Sequence, residues 1–221
     1  DAGELAFGVS EGNLPTVTQR YRLDGGAGVE RLRAAVDAAV HGETSRVGQL
    51  LAPMGIRYVL LVDRPAPEPF SPVEVPLPRG SLAGFAEQLD LTRVPVAPGA
   101  QLFEVSGVWP LRADISELGL PADGQTSAAA QILRGPAVPP AVLGRGPGTS
   151  FTGTLAKGAV VAQSVTADAG WTLDTGGRSA RRTSLFGWAQ QFHVERAGGA
   201  TLSFSTPMTS LARPHNAHVH S

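Results

Sequence analysis

The chain has no cysteine, which removes disulfide staples, thiolate nucleophiles and cysteine-based zinc sites and leaves the redox compartment open. Lysine is almost missing as well: of 18 basic residues only Lys157 is not an arginine, a matter of GC-rich coding and not of physics. Neither sign of charge is in excess, the net value being -1, so there is no electrostatic ground for a nucleic-acid partner. No apolar run reaches the roughly 18 residues that span a bilayer. The first residue is Asp1, with neither an initiator Met nor a signal peptide, and the sequence reads as a section of something longer.

What is present is ordinary for a folded protein. The 221 residues are 42% hydrophobic and 17% charged, enough for one large domain or two small ones, and the pattern favours two. Residues 4–9 (ELAFGV) and 16–23 (TVTQRYRL) have strand composition. From Val29 the positions Val29, Leu32, Val36, Ala39 and Val40 predict an amphipathic helix that Gly42 stops. Val47, Leu50, Leu51 and Met54 predict a second helix, capped by Thr44 or Ser45 and ended by Pro53 and Gly55. The almost continuous apolar run Ile56 to Val62 then predicts a strand covered on both faces.

Six prolines within 64–80 exclude regular helix and central strand there. Ser81 is placed to cap a third helix with Leu82, Phe85, Ala86 and Leu89 on one face. Runs 91–97 and 101–108 predict two strands about a turn at Pro98 and Gly99. The expected organisation is a small α/β layer over 1–133, a Pro/Gly-rich linker at 134–148, a β-sandwich-like unit at 149–207 and a flexible tail at 208–221. The fold class is α+β or α/β, with the second unit jelly-roll-like: short β-type runs there are separated by Lys157-Gly158, Asp168-Ala169-Gly170, Gly176-Gly177 and Gly198-Gly199. Its length is thin for a sandwich, so a strand from the first 27 residues or from 101–108 is expected to join it. Phe186, Trp188, Phe192 and Val194 are expected on one core-facing strand face that Gln190 interrupts.

Catalytic signatures are absent. Of the five histidines, His215, His218 and His220 fall in the tail, where no fixed geometry or supporting shell exists for a metal. His41 ends the first helix, where a cation complements the dipole. His193 lies on the parity opposite to Phe192 and is expected to face solvent. The glycine-rich DGGAG at 24–28 matches neither phosphate-loop fingerprint, and no carboxylate pair declares a glycosidase. No cofactor or metal is implied. The most usable hint is Trp171 after Asp168-Ala169-Gly170, followed by Asp174, Arg178, Arg181 and Arg182. Trp171, Asp174, Arg181 and Trp188 are the candidate glycan-binding residues, because an indole face beside hydrogen-bonding side chains suits a sugar ring; a core role for both tryptophans is the competing and favoured reading.

GETSRVGQLLAPMGIRYVLLVD, then LAGFAEQLDLTRVPVAPGAQLFEVSG, AKGAVVAQSVTADAGWTLDTGG and LFGWAQQFHVERAGGATLSFSTP, resemble the C-terminal extracytoplasmic region of large actinobacterial membrane glycosyltransferases. These are family 2 glycosyltransferase-linked and YfhO-like membrane proteins. The resemblance covers about residues 28–207 and rests on structural signatures, so it carries no catalytic residue. It implies an extracytoplasmic location, tethered to the membrane through the parent, in cell-envelope polysaccharide biosynthesis. The expected role is that of a noncatalytic accessory or glycan-binding domain, with envelope glycan or the membrane portion of the parent as partner. Two alternatives stand beside it: part of a lipid-linked sugar transferase site with Asp63 or Asp114 as base, or a purely structural assembly domain.

Overall fold

The structure, a computed structural model, describes residues 26–62, 77–96, 98–120 and 137–205. The strands expected at 4–9 and 16–23, most of the Pro-rich run, Asp63 and the tail with its three histidines lie outside the described residues.

Helix α1 (Ala27–Val40) buries Ala35 and Ala39 and packs Leu32, Val36 and Val40 against the same core, as its 3.6-residue period requires. His41 closes it, and Gly42 follows in the left-handed region at φ 71°. Helix α2 (Val47–Leu51) is buried along its whole length. Its N-terminus is not capped from Thr44 or Ser45 as expected. Thr44 Oγ1 accepts from the Arg46 N–H, while Val47 N–H donates to Gln88 Oε1 and Gln49 N–H to Asp90 Oδ2, both at 2.8 Å. Two side chains distant in sequence thus satisfy donors that local residues usually satisfy. Glycine is required beneath them: a Cβ at Gly48 would lie 2.7 Å from Asp90 Cγ.

A 3₁₀ turn, Ala52–Met54, leads into β1 (Tyr58–Val62). Helix α3 (Ser81–Ala86) starts after Gly80, buries Phe85 and leaves Leu82 and Leu89 exposed. With β2 (Leu91–Val94) and β3 (Ala100–Val105) the first sheet has the order β1-β3-β2, antiparallel throughout. The central strand is therefore β3, not β1. Val59 and Leu61 pack on the helices, whereas Tyr58 and Leu60 are 50% and 55% exposed. An unbroken apolar run here is an edge strand covered on one face.

The remaining strands form two facing sheets. β4 (Arg112–Asp114), β7 (Val160–Gln163), β10 (Arg181–Leu185) and β11 (Ala189–His193) give the order β10-β11-β7-β4. β5 (Gly144–Arg145), β6 (Phe151–Leu155), β8 (Trp171–Thr175), β9 (Arg178–Ser179) and β12 (Gly198–Phe204) give β5-β6-β12-β8-β9. Val161 and Phe192 of one sheet meet Leu155, Leu173 and Leu202 of the other in a buried core, which makes the region sandwich-like. The extra strand comes from 112–114, while 100–105 stays in the first sheet. Of the Pro/Gly-rich stretch 134–148, Ala141 bridges Ala113 and Gly144–Arg145 pairs with β6. With all three sheets antiparallel, the fold is α+β with a β-sandwich-like region.

The aromatic face expected along 186–194 is split. Phe186 and Trp188 belong to a cluster on the outer side of the sandwich, with Ala113, Ile115, Ala162, Leu185 and Ala189. Phe192 and Val194 belong to the core between the sheets. The cause is the turn Leu185-Phe186-Gly187-Trp188, with φ of 54° and 76° at its two central residues and Trp188 N–H donating to Leu185 O. The ladder resumes at Leu185↔Ala189, leaving Trp188 unpaired beyond the two left-handed residues, and this odd residue shifts the strand parity after the turn. Trp109 packs against both this cluster and the helical core, and α1 closes over the turn, with Arg31 Nη1 donating to Phe186 O at 3.2 Å. Gly28 lies close enough to Trp188 that a Cβ would come 3.3 Å from its ring.

Candidate functional site

Strand alternation turns Val161 and Phe192 toward the other sheet, so residues two positions away face the same side. Register places Ser184, Gln190, Gln163 and Arg112 opposite one another across β10, β11, β7 and β4. A polar row therefore crosses the whole sheet at one end of the sandwich. Gln163 and Gln190 are each 1% exposed, and Gln190 Nε2 donates to Gln163 Oε1 at 2.6 Å. Gln163 Nε2 and the neighbouring Ser164 Oγ are buried without a hydrogen-bond partner among the described residues.

The facing sheet answers this row with aromatic rings. Phe151 and Trp171 have centroids 6.3 Å apart, Trp171 and Phe204 5.1 Å. The Arg112 guanidinium joins the two sheets by lying 3.6 Å from the Phe151 ring centroid, a cation–π contact, and its Nε–H points to Leu143 O at 3.4 Å. Burial lowers the Arg112 pKa from its ordinary value.

The loop from Ser164 to Gly170 carries the chain from β7 to β8 past the outer end of the row. Asp168 organises it: Oδ1 accepts from Gly170 N–H at 2.7 Å, and its own N–H donates to Gln190 Oε1 at 3.2 Å. Arg182 Nη1 donates to Asp168 O at 2.5 Å. Ala167, Asp168 and Ala169 with Arg182, Thr183, Ser184 and Gln190 line a pocket of about 340 Å³. Beyond these bonds, the second Asp168 carboxylate oxygen and the remaining Arg182 N–H groups have no protein partner among the described residues. A fork of donors and an anionic acceptor thus line one small depression, the pairing that neighbouring hydroxyls of a polyol engage.

The four residues singled out from sequence are not brought together. Trp171 is half-buried at the sandwich end, directly after the Asp168 loop. Asp174 is exposed on the opposite face of β8 and accepts from Ser179 Oγ at 2.5 Å. Arg181 faces away from Arg182 and stands opposite His193. Trp188 is 7% exposed and packs on the outer side of the sandwich beneath α1. Sequence reading missed Gln163, Ser184 and Arg112; the visible signal was Gln190, a polar residue interrupting an apolar strand.

The other candidates have structural partners. Asp114 Oδ1 accepts from Ser116 and Val160 N–H at 3.0 and 3.2 Å, which ties it to the backbone and leaves it outside the Asp168 pocket. His193 is half-buried, not solvent-facing: Gln191 Nε2 donates to Thr183 Oγ1 at 3.1 Å, and Thr183 Oγ1 is 2.9 Å from His193 Nε2. Which of the two donates depends on the imidazole tautomer, because the hydroxyl can accept from both the amide and the ring or donate to the ring. Burial, then Arg181, lowers the His193 pKa. Among the described residues no group of three or more His, Asp or Glu side chains could hold a metal, and no helix is long and apolar enough to cross a membrane. A scan against protein-family models and searches of curated proteins and of solved structures returned no match for this chain.

Proposed function

We propose that this chain is a noncatalytic, glycan-binding accessory domain of a membrane glycosyltransferase in cell-envelope polysaccharide biosynthesis, working on the extracytoplasmic side. The observation that carries the reading is the Asp168–Arg182 pocket, where donors and an acceptor with unused hydrogen-bonding capacity line a depression the size of a single sugar unit. Trp171 follows the same loop, but its ring packs on Phe151 and Phe204 and does not line the pocket. The site is moved from the residues expected on sequence grounds to Asp168, Arg182, Ser184 and Gln190, with Trp171 beside it as the residue after the loop.

The noncatalytic part of the reading draws on how the carboxylates are used. Asp168 is the one carboxylate lining the pocket, with Asp114 and Asp174 outside it, whereas acid/base hydrolysis of a glycoside uses a pair. Location and parent remain with the resemblance in sequence. Calorimetric titration with arabinan, galactan and mannan of actinobacterial walls tests the reading. Binding to one of them, weakened about tenfold by Arg182→Ala as the loss of a charged hydrogen bond requires, is the expected result. Silence toward all three, or equal binding by wild type, Arg182→Ala and Trp171→Ala, overturns it.

A further inference from the structure

The Asp168 pocket is short and has no aromatic wall. Its lining comes from three consecutive loop residues, Ala167 to Ala169, three consecutive strand residues, Arg182 to Ser184, and Gln190. Three extended residues span about 7 Å from first to last. A volume of about 340 Å³ lies at the small end of the ~300–1,000 Å³ of ligand cavities. One sugar ring fits such a space, and two in line do not. Nor does an indole offer a flat platform along which a chain could lie, because the Trp171 ring packs on Phe151 and Phe204.

Two of the polar side chains in the lining are already committed. Gln190 accepts the Asp168 N–H through Oε1 and donates to Gln163 through Nε2, so its amide is a fixed floor. Thr183 Oγ1 accepts from Gln191 and lies 2.9 Å from His193 Nε2. The groups left for a ligand are the second Asp168 carboxylate oxygen, the remaining Arg182 N–H groups and the exposed Ser184 hydroxyl. They come from two walls, the loop and the strand, and such groups hold a ring by the hydroxyls on its rim. A ring inside a polysaccharide has two rim positions taken by linkages, and its neighbours need room on both sides. The ring at the non-reducing end has one linkage and its other hydroxyls free. We propose that the pocket binds the non-reducing terminal sugar of a glycan chain, with two adjacent hydroxyls shared between Asp168 and Arg182, and not a segment within the chain. A carboxylate accepts from hydroxyls and a guanidinium donates to them, so one adjacent pair satisfies both. The inference rests on the glycan-binding reading and narrows it to a chain end.

Calorimetric titration with short and long linear fragments of arabinan, galactan and mannan reads the proposal. For whichever sugar binds, one protein is expected per chain whatever its length, with equal affinity per mole of chain. The methyl glycoside of that sugar is expected to displace the fragment completely, and methylation of the terminal-ring hydroxyls to abolish binding. Arg182→Ala and Asp168→Asn, with unchanged circular-dichroism spectra, are each expected to weaken short and long fragments by the same factor, about tenfold. Asparagine keeps an oxygen for the Gly170 N–H, so that variant preserves the loop while removing the charge. Stoichiometry that rises with chain length, or binding that survives terminal methylation, overturns the chain-end inference and leaves the glycan-binding reading standing. Absence of binding to all three sugars overturns both.

Discussion

Trp109 and Phe186 meet with ring centroids 5.9 Å apart at a tilt of 51°, and their contact joins the helix-covered sheet to the sandwich. Phe186 reaches that position only by adopting φ 54°, a conformation that costs a side chain with a Cβ on the order of 1–2 kcal/mol. The burial of the ring, 4% exposed and overlain by the Arg31 guanidinium at 5.6 Å, offsets that strain.

Two outcomes follow for chemical denaturation. Trp109→Ala and Phe186→Ala each lower stability by about 3–5 kcal/mol, and the double variant loses less than the sum, by about 0.5–1.5 kcal/mol. Phe186→Gly is less damaging than Phe186→Ala, the reverse of the order at an ordinary backbone position, because glycine alone occupies the left-handed region freely. An additive pair of truncations, or alanine milder than glycine, would contradict the assignment of the joint.

The tertiary cap of α2 makes a second measurement. Asp90→Ala removes the acceptor for Gln49 N–H and is expected to cost about 1–2 kcal/mol, as loss of a helix cap does. Gly48→Ala forces a methyl to within 2.7 Å of Asp90 Cγ and 2.8 Å of Asp90 O, which costs about 1–3 kcal/mol as an overpacked site. In the Asp90→Ala background the penalty of Gly48→Ala shrinks only in part, since the backbone oxygen remains. Thermal melts of the two single variants and the double variant check the order.

The same residues show where local pattern carries the fold and where it stops. α1 was legible because Leu32, Val36, Ala39 and Val40 repeat at helical spacing and all pack into one core. The cap of α2 was not, because its acceptors, Gln88 and Asp90, come from another part of the chain. For β1, an apolar run says that the strand is hydrophobic without saying how many faces are covered, and one face is open. The split of Phe186 and Trp188 from Phe192 and Val194 was hidden by a phenylalanine at a turn position that usually announces itself with Asn or Asp. In the candidate site, Gln190 stood out as a polar interruption. Its partners Gln163 and Arg112 did not, because only the register of separate strands sets them side by side.

The paired amides give a prediction that separates burial from bonding. Gln190→Leu leaves Gln163 Oε1 without its donor at 2.6 Å and removes the acceptor for Asp168 N–H, so it is expected to cost about 1–3 kcal/mol. Adding Gln163→Leu removes the stranded amide together with a nitrogen that has no partner among the described residues. The double variant is therefore expected to recover most of the loss, while hydrogen exchange at the Asp168 loop stays faster than in wild type. A double variant less stable than Gln190→Leu alone would show that the Gln163 amide contributes through bonds other than the one to Gln190.

His193 gives the sandwich a pH-dependent contribution to stability. Burial and the facing Arg181 lower its pKa from 6.5, so the folded chain holds the imidazole neutral at a pH where the unfolded chain has begun to protonate it. With the unfolded state binding more protons, stability rises with pH in that window. The contribution is complete above the unfolded value near 6.5 and is lost as pH falls below it toward the folded value. Burial explains the direction first, because it disfavours the charged ring, and the facing Arg181 cation adds to it. Urea midpoints measured from pH 8 to pH 5 are expected to fall for wild type and to fall less for His193→Gln. Arg181→Ala, which removes the cation while leaving the burial, is expected to reduce the slope without abolishing it. A wild-type slope that His193→Gln leaves unchanged would assign the acid sensitivity to other groups.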